Sequence, residues 1–209
     1  MRVLRGLIFG TALCLSACST LTPTVNVNAQ EAFKAGAYTL DKDHAALFVR
    51  ISHFGLSSYV GRFNDIDGSL DFDIDNPSAA RATLTAQTAS LDVNNSDFQA
   101  KLIGPSWLDS AAFPQAIFTL EDITVTGENA GIAKGELNLK GIVQPIEFKV
   151  KFLGGLKSPL TRKYTVSFEA RGAIKRSDYG ITKYLPMAGD KFDFDTIEIE
   201  FNGEFQKTD

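Results

Sequence analysis

The chain has 209 residues, of which 44% are hydrophobic and 22% are charged, the balance of an ordinary globular protein. Its formal net charge is −4, so composition argues against nucleic acid and anionic lipid surfaces as partners. The only cysteines are Cys14 and Cys18, near the N-terminus, which excludes a fold held together by internal disulfides.

The first residues have the pattern of an export signal. Arg2 and Arg5 precede an apolar run of about ten residues, which is too short to span a bilayer. The run ends in Leu15-Ser16-Ala17-Cys18, which resembles the lipobox of bacterial lipoproteins. That resemblance implies a lipoprotein signal peptide at residues 1–17, with Cys18 acylated and the mature protein periplasmic and anchored to the outer membrane. The alternative is an ordinary secretory signal in which Cys18 is incidental.

Residues 18–36 are predicted to form a flexible tether. The stretch is polar, contains one proline and has no sustained apolar period. A flexible run of this length has an end-to-end distance of roughly 20–25 Å, enough to hold a domain just off a membrane. An N-terminal strand is the weaker alternative, since Val25 and Val27 are the only alternating apolar pair.

Residues 37–207 are predicted to form one β domain because their apolar residues alternate with period two. Leu70, Phe72 and Ile74, for example, are interleaved with aspartates, which is typical of a strand with one buried face. The pattern recurs in about eight short segments separated by turn residues and indicates an all-β, antiparallel barrel or sandwich. One segment differs: the possible N-caps Asn94 and Ser96 precede Phe98 and Leu102 at helical spacing, and residues 95–112 are predicted to form one or two short helices.

The strand count leaves the interior of the barrel undecided. A closed barrel of about eight strands is either filled by its own side chains or holds one slender ligand. Periodicity alone favours a filled core, although 16 phenylalanines would suffice to line a large apolar lumen.

An ordered set of motifs spans residues 38–206. The segments, in chain order, are Tyr38-Thr39-Leu40-Asp41 with His44, Ile51-Ser52-His53-Phe54-Gly55, Gly61-Arg62-Phe63, Gly68-Ser69-Leu70-Asp71-Phe72, Trp107-Leu108-Asp109, Phe113-Pro114, Gly135-Glu136-Leu137 and Arg176-Ser177-Asp178-Tyr179-Gly180. In order and spacing this set is similar to the YceI-like family of polyisoprenoid-binding proteins. The resemblance implies a lipocalin-like barrel, exported in bacteria, whose lumen takes a long apolar chain such as a polyisoprenoid, an isoprenoid quinone or a fatty amide.

Carried over position by position, the resemblance also implies site residues. The candidates to line the apolar tunnel are Phe48, Phe54, Phe63, Phe72, Trp107 and Phe113. The candidates to meet a headgroup at the mouth are His53, Arg176 and Tyr179. For each tunnel residue the alternative is ordinary core packing, and for Arg176 it is a surface position beside Lys175.

The sequence predicts a binding protein and not an enzyme. His44 and His53 are the only histidines, no zinc-binding spacing and no Gly-x-Ser-x-Gly elbow occurs, and no metal site or cofactor is predicted. The resulting hypothesis is a monomer or homodimer that carries, buffers or sequesters an isoprenoid-type lipid or quinone. The alternative is a scaffold or stress-response lipoprotein with a filled core that acts through its exterior.

Overall fold

The computed structural model describes residues 34–188 and 192–208. The predicted signal peptide, Cys18 and nearly all of the predicted tether lie outside these residues. The described residues contain ten strands: β1 (Gly36–His53), β2 (Ser57–Phe63), β3 (Ile66–Phe72), β4 (Arg81–Gln87), β5 (Leu91–Asp92), β6 (Gln115–Gly127), β7 (Ala130–Leu139), β8 (Ile142–Lys157), β9 (Tyr164–Lys175) and β10 (Thr196–Lys207). The helices are α1 (Ser96–Leu102) and α2 (Leu185–Ala188), with 3-10 turns at Pro77–Ala79, Thr88–Ser90 and Arg176–Tyr179.

The strands close into an antiparallel barrel. Eight of them form the ring in the order β1, β3, β4, β6, β7, β8, β9 and β10, and β10 pairs again with β1. The long β1 makes this possible because its first residues pair with β3 while residues 47–53 pair with β2, to which β5 is added. The predicted all-β, antiparallel, lipocalin-like barrel of about eight strands is confirmed.

Period-two alternation accounts for the strands. In β7 the side chains of Ala133, Leu137 and Leu139 are buried, whereas those of Lys134 and Glu136 are exposed. The connection to β8 is a two-residue turn in which Lys140 has φ 55° and Gly141 has φ 75°. Positive φ at both central residues is the type I′ geometry, whose twist matches that of the flanking strands. Local sequence therefore fixes both the face and the register of this hairpin.

A bulge interrupts β1 where it pairs with β10. Leu40 lies opposite Phe205 and Ala45 lies opposite Gly203, so four residues of β1 face the single residue Glu204. Such an insertion bends the strand and increases its twist, which helps a sheet to close on itself. The bulge also brings the side chains of Asp41 and His44 together on the outside of the barrel, 2.9 Å apart.

The two ends of the barrel differ. At the end where β1 and β9 finish, the opening is covered by α1, residues 103–113 and the 176–188 segment, which together are called the roof. At the opposite end the interior is occupied by the rings of Phe72, Phe152, Phe168 and Phe205, which are called the floor. The core of the molecule therefore has an apolar lumen with unlike ends.

The prediction of one or two short helices in residues 95–112 is confirmed by one helix. Only α1 forms there: Asn95 is its N-cap, with its side-chain oxygen accepting a hydrogen bond from the backbone N–H of Phe98 at 3.0 Å. Residues 103–112 form turns, held by bonds such as that from the Ser110 N–H to the Ile103 carbonyl, and the second short helix is α2. Neither helix in the described part of the chain is long and apolar enough to cross a membrane.

Candidate functional site

The barrel encloses an apolar cavity of about 300 Å³. This volume falls at the lower end of the range for small-molecule sites. Inward-facing side chains from around the ring line it, among them Val49, Leu84, Leu120, Ala133, Phe148 and Ile199. The charged residues in the lining are Arg50 and Asp67, both of which are exposed at its edge. The lumen is therefore open, and the filled core that periodicity alone favours is wrong.

The roof contributes its own apolar side chains to the cavity. Phe98 and Leu102 of α1 lie in the lining together with Trp107, Leu108 and Ile181. Phe98 contacts Tyr59 of β2, with ring centroids 5.0 Å apart, and Tyr59 is 44% exposed while also lining the cavity. The junction of α1 with β2 is therefore a place where the lining reaches the surface.

Three of the six predicted tunnel residues line the cavity. Phe63 at the end of β2 and Phe72 at the end of β3 are buried and face inward. Trp107 belongs to the roof and is partly buried. The structure thus places these three side chains where a ligand in the lumen would contact them, and their role in binding stays a prediction.

The other three predicted tunnel residues, Phe48, Phe54 and Phe113, do not line the cavity in the described part of the chain. Phe48 lies between Leu47 and Val49, which both face the cavity, so its side chain points outward, where the Arg62 guanidinium lies 5.9 Å from its ring centroid. Phe54 has φ 56° in the turn after β1 and is 42% exposed. Phe113 packs on the β7–β8 turn, so close to Gly141 that a Cβ there would lie 2.8 Å from the ring.

Arg176 is buried and is not available at the mouth of the barrel to bind a headgroup. Its side chain is 1% exposed, and its guanidinium donates hydrogen bonds to the carbonyl oxygens of Phe194 (2.6 Å), Ile181 (2.8 Å) and Lys183 (2.8 Å). The guanidinium carbon also lies 4.9 Å from the Trp107 ring centroid. Burial lowers the pKa of Arg176, although Asp195 acts against this shift. Arg176 is therefore a structural clamp of the roof, neither a surface residue nor a free donor.

Tyr179 and His53 complete the predicted headgroup set. Tyr179 is 1% exposed and lies in the same 3-10 turn as Arg176. It does not line the cavity in the described part of the chain, and burial raises the pKa of its hydroxyl group. His53 is partly buried at the end of β1, with its ring edge-on to Phe54 at 4.6 Å and to Tyr59 at 5.2 Å. Arg176, Tyr179 and His53 all lie at the roofed end. Of the three, His53 is the one that contacts Tyr59, the lining residue that reaches the surface.

Several lining aromatics were not among the predicted site residues. Phe118, Phe148, Phe168 and Phe205 all line the cavity, and Phe118 and Phe148 meet edge-to-face at 5.2 Å. The sequence does contain a signal for them. Each is separated by an even number of positions from buried residues on its own strand, β6, β8, β9 or β10, and so points to the same inner face.

Asp41, His44 and Glu204 form a polar cluster at the β1 bulge, with ligand-type atoms within 4.8 Å of one another. The His44 Nδ1 bonds to Asp41, and the Gln206 side-chain amide donates to the same carboxylate oxygen. The hydrogen bond with Asp41 raises the pKa of His44. The His44–Asp41 contact within β1 and the hydrogen bond from Gln206 of β10 to Asp41 account for this arrangement.

Comparisons with known proteins agree with the barrel geometry. The family model described as "YceI-like domain" matches residues 38–205. A UPF0312 protein of Enterobacter sp. strain 638 is 37% identical, over 83% of this chain and 89% of its own length. A UPF0312 protein of Pectobacterium carotovorum is 36% identical, over 85% of this chain and 90% of its own.

Two solved structures share the fold at low sequence identity. Burkholderia cenocepacia BcnA superposes with a TM-score of 0.70 at 21% identity, covering 79% of this chain and 98% of that one. A polyisoprenoid-binding domain from Saccharophagus degradans superposes with a TM-score of 0.63 at 15% identity, covering 83% of this chain and 99% of that one. With the family model matching almost the whole barrel, the chain belongs to the YceI-like family.

Proposed function

We propose that this protein binds one long apolar chain of isoprenoid type, a polyprenyl lipid or an isoprenoid quinone, inside its barrel. The observation that carries the proposal is the cavity of about 300 Å³ with its nearly continuous hydrocarbon lining. Each methylene group moved from water into such a lining contributes about 0.8 kcal/mol, so a long tail binds without a strong polar contact. The shared fold with the polyisoprenoid-binding domain of Saccharophagus degradans supports the same ligand class.

The side chains that line the cavity are suited to holding a ligand and not to transforming one. Both histidines of the chain, His44 and His53, lie outside the lining. The charged lining residues, Arg50 and Asp67, are exposed, and Asp67 is paired with Lys42 at 2.8 Å. The protein is therefore proposed as a carrier or sequestering site, and chemistry on the bound lipid is not part of the proposal.

Lipid extraction and reloading test this function. The protein is purified after export from a bacterial host, and mass spectrometry of its organic extract is expected to show an isoprenoid lipid or quinone in near-stoichiometric amount. After delipidation, adding ubiquinone is expected to change the fluorescence of Trp107, the only tryptophan. The quinone headgroup without its isoprene tail is the control and should leave the fluorescence unchanged. A clean extract together with no response to ubiquinone would favour a scaffold that acts through its exterior.

The same proposal includes a location in the periplasm at the outer membrane. The leader and the lipobox coincide at Cys18, and a polar stretch follows it. Cys18→Ser is expected to move the protein from the membrane fraction to the soluble periplasmic fraction, because acylation needs the cysteine thiol. Fractionation with immunoblotting measures this, and Cys14→Ser is the matched control that should leave the distribution unchanged. Retention of the Cys18→Ser protein in membranes would contradict the anchor.

A further inference from the structure

The floor closes the cavity with a layer of aromatic rings. The Phe168 ring centroid lies 5.2 Å from that of Phe72, 5.2 Å from that of Phe152 and 6.2 Å from that of Phe205. Phe72 and Phe152 are themselves 5.8 Å apart. Such tilted and edge-to-face pairs are favourable ring arrangements, so the layer is a packed unit. Phe72, Phe168 and Phe205 present their inner surfaces to the cavity.

Further buried side chains lie at the same end of the barrel as the floor. Tyr38 pairs with Leu70 and Lys207, nearer to the strand ends than the floor residues of β10. Tyr38 is 1% exposed and Val166 is 0% exposed, and neither is in the cavity lining of the described residues. The Lys207 ammonium lies 5.5 Å from the Tyr38 ring centroid and covers this end of the barrel. A chain that enters from the roofed end therefore meets a closed end at the floor.

The lining extends along β10 from Ile197 near the roof to Phe205 at the floor. These nine residues span eight steps along the strand, which, tilted as in closed barrels, give a lumen about 20 Å long. The hydrocarbon walls have few polar groups with which to distinguish one headgroup from another. Length is thus the property of an apolar chain to which this cavity is most sensitive.

We infer that the floor sets the maximum length of chain that the cavity accommodates, and that Phe168 is its central determinant. This inference rests on the proposed function. Each buried methylene increases affinity about fourfold, so affinity rises with chain length while the tail is still short of the floor. Once the tail touches the Phe168 ring, added units stay outside in water and affinity reaches a plateau.

The experiment measures Kd for geraniol, farnesol, geranylgeraniol and solanesol by Trp107 fluorescence, with the delipidated protein. The wild-type protein is expected to show a plateau within this series. In Phe168→Ala the floor loses its central ring, and the plateau is expected to move to a longer prenol, with at least a tenfold gain for the first prenol beyond the wild-type limit. Phe118→Ala is the matched control: this ring lines the side wall of the same cavity, so its loss should change all four affinities by a similar factor.

A folding check and an alternative variant keep the experiment decisive. Circular dichroism checks that each variant keeps the β spectrum, and Phe72→Leu replaces Phe168→Ala if the latter does not fold. A plateau at the same prenol in wild type and in the floor variant, with binding intact, overturns the inference while leaving the proposed function standing. Absence of binding by every prenol to the wild-type protein overturns the proposed function and the inference together.

Discussion

Replacing Arg176 with methionine is expected to destabilise the folded protein by about 3–5 kcal/mol, since three buried or part-buried carbonyl groups lose their donor, at about 1–3 kcal/mol for a fully buried one. Methionine keeps an unbranched apolar stem but leaves the carbonyl oxygens of Ile181, Lys183 and Phe194 without the guanidinium. The contact with the Trp107 ring is lost at the same time. Urea unfolding followed by circular dichroism measures the change in the free energy of unfolding.

Arg171→Met is the control for this experiment. Arg171 lies on β9, five residues before Arg176, but its side chain is 63% exposed and its partners are the carboxylates of Glu169 (2.6 Å) and Glu200 (3.2 Å). Exposed ion pairs contribute between about 0 and 1 kcal/mol, so this variant should unfold near the wild-type urea concentration. If Arg176→Met were no less stable than Arg171→Met, Arg176 would not be the clamp that the roof geometry indicates.

The sequence predicted the barrel because strand alternation is a local property. Where one face is apolar and the other charged, as in β3 and β7, the buried side chains follow from the printed order of residues. The same rule fails in β1 at Leu47, Phe48 and Val49. Because these three consecutive residues are all apolar, their order does not show which of them face inward. Without a phase the inward and outward positions cannot be distinguished, and nothing in the local pattern corrects the resemblance, which implies a tunnel position for the outward-facing Phe48.

Tertiary contacts between distant segments explain the remaining differences. The clamp role of Arg176 depends on Phe194, eighteen positions away, whose carbonyl oxygen comes near only after β9 and β10 have paired. The ring of Phe113 similarly lies on Gly141, a residue of a different hairpin. Such placements are set by packing of the whole domain and leave no periodic trace in the sequence. The floor shows the opposite case, because its four phenylalanines share the inward phase of their strands.

Phe63→Asp is expected to abolish uptake of ubiquinone. Phe63 is 8% exposed and its ring lines the cavity, where a carboxylate would have no cationic partner in the apolar wall. If the carboxylate stays charged, the isoprenoid tail can bind only by removing water from it. If the group binds a proton, the neutral carboxyl group still has to lose its hydrogen bonds to water. Both cost about 3 kcal/mol of binding free energy or more, roughly a hundredfold in Kd. Trp107 fluorescence and retention of labelled ubiquinone measure the loss.

Phe48→Asp is the matched control, since the same change is made on the neighbouring strand β1 but on the outer face. There the new carboxylate would lie next to Arg62, whose guanidinium now covers the Phe48 ring, and ubiquinone affinity should stay within about threefold of wild type. Because Phe63→Asp also lowers stability, Phe63→Leu serves as the variant that keeps the fold, with an expected loss of about 1 kcal/mol of binding free energy. Equal effects of the two aspartate substitutions on uptake would show that ubiquinone does not bind inside the barrel.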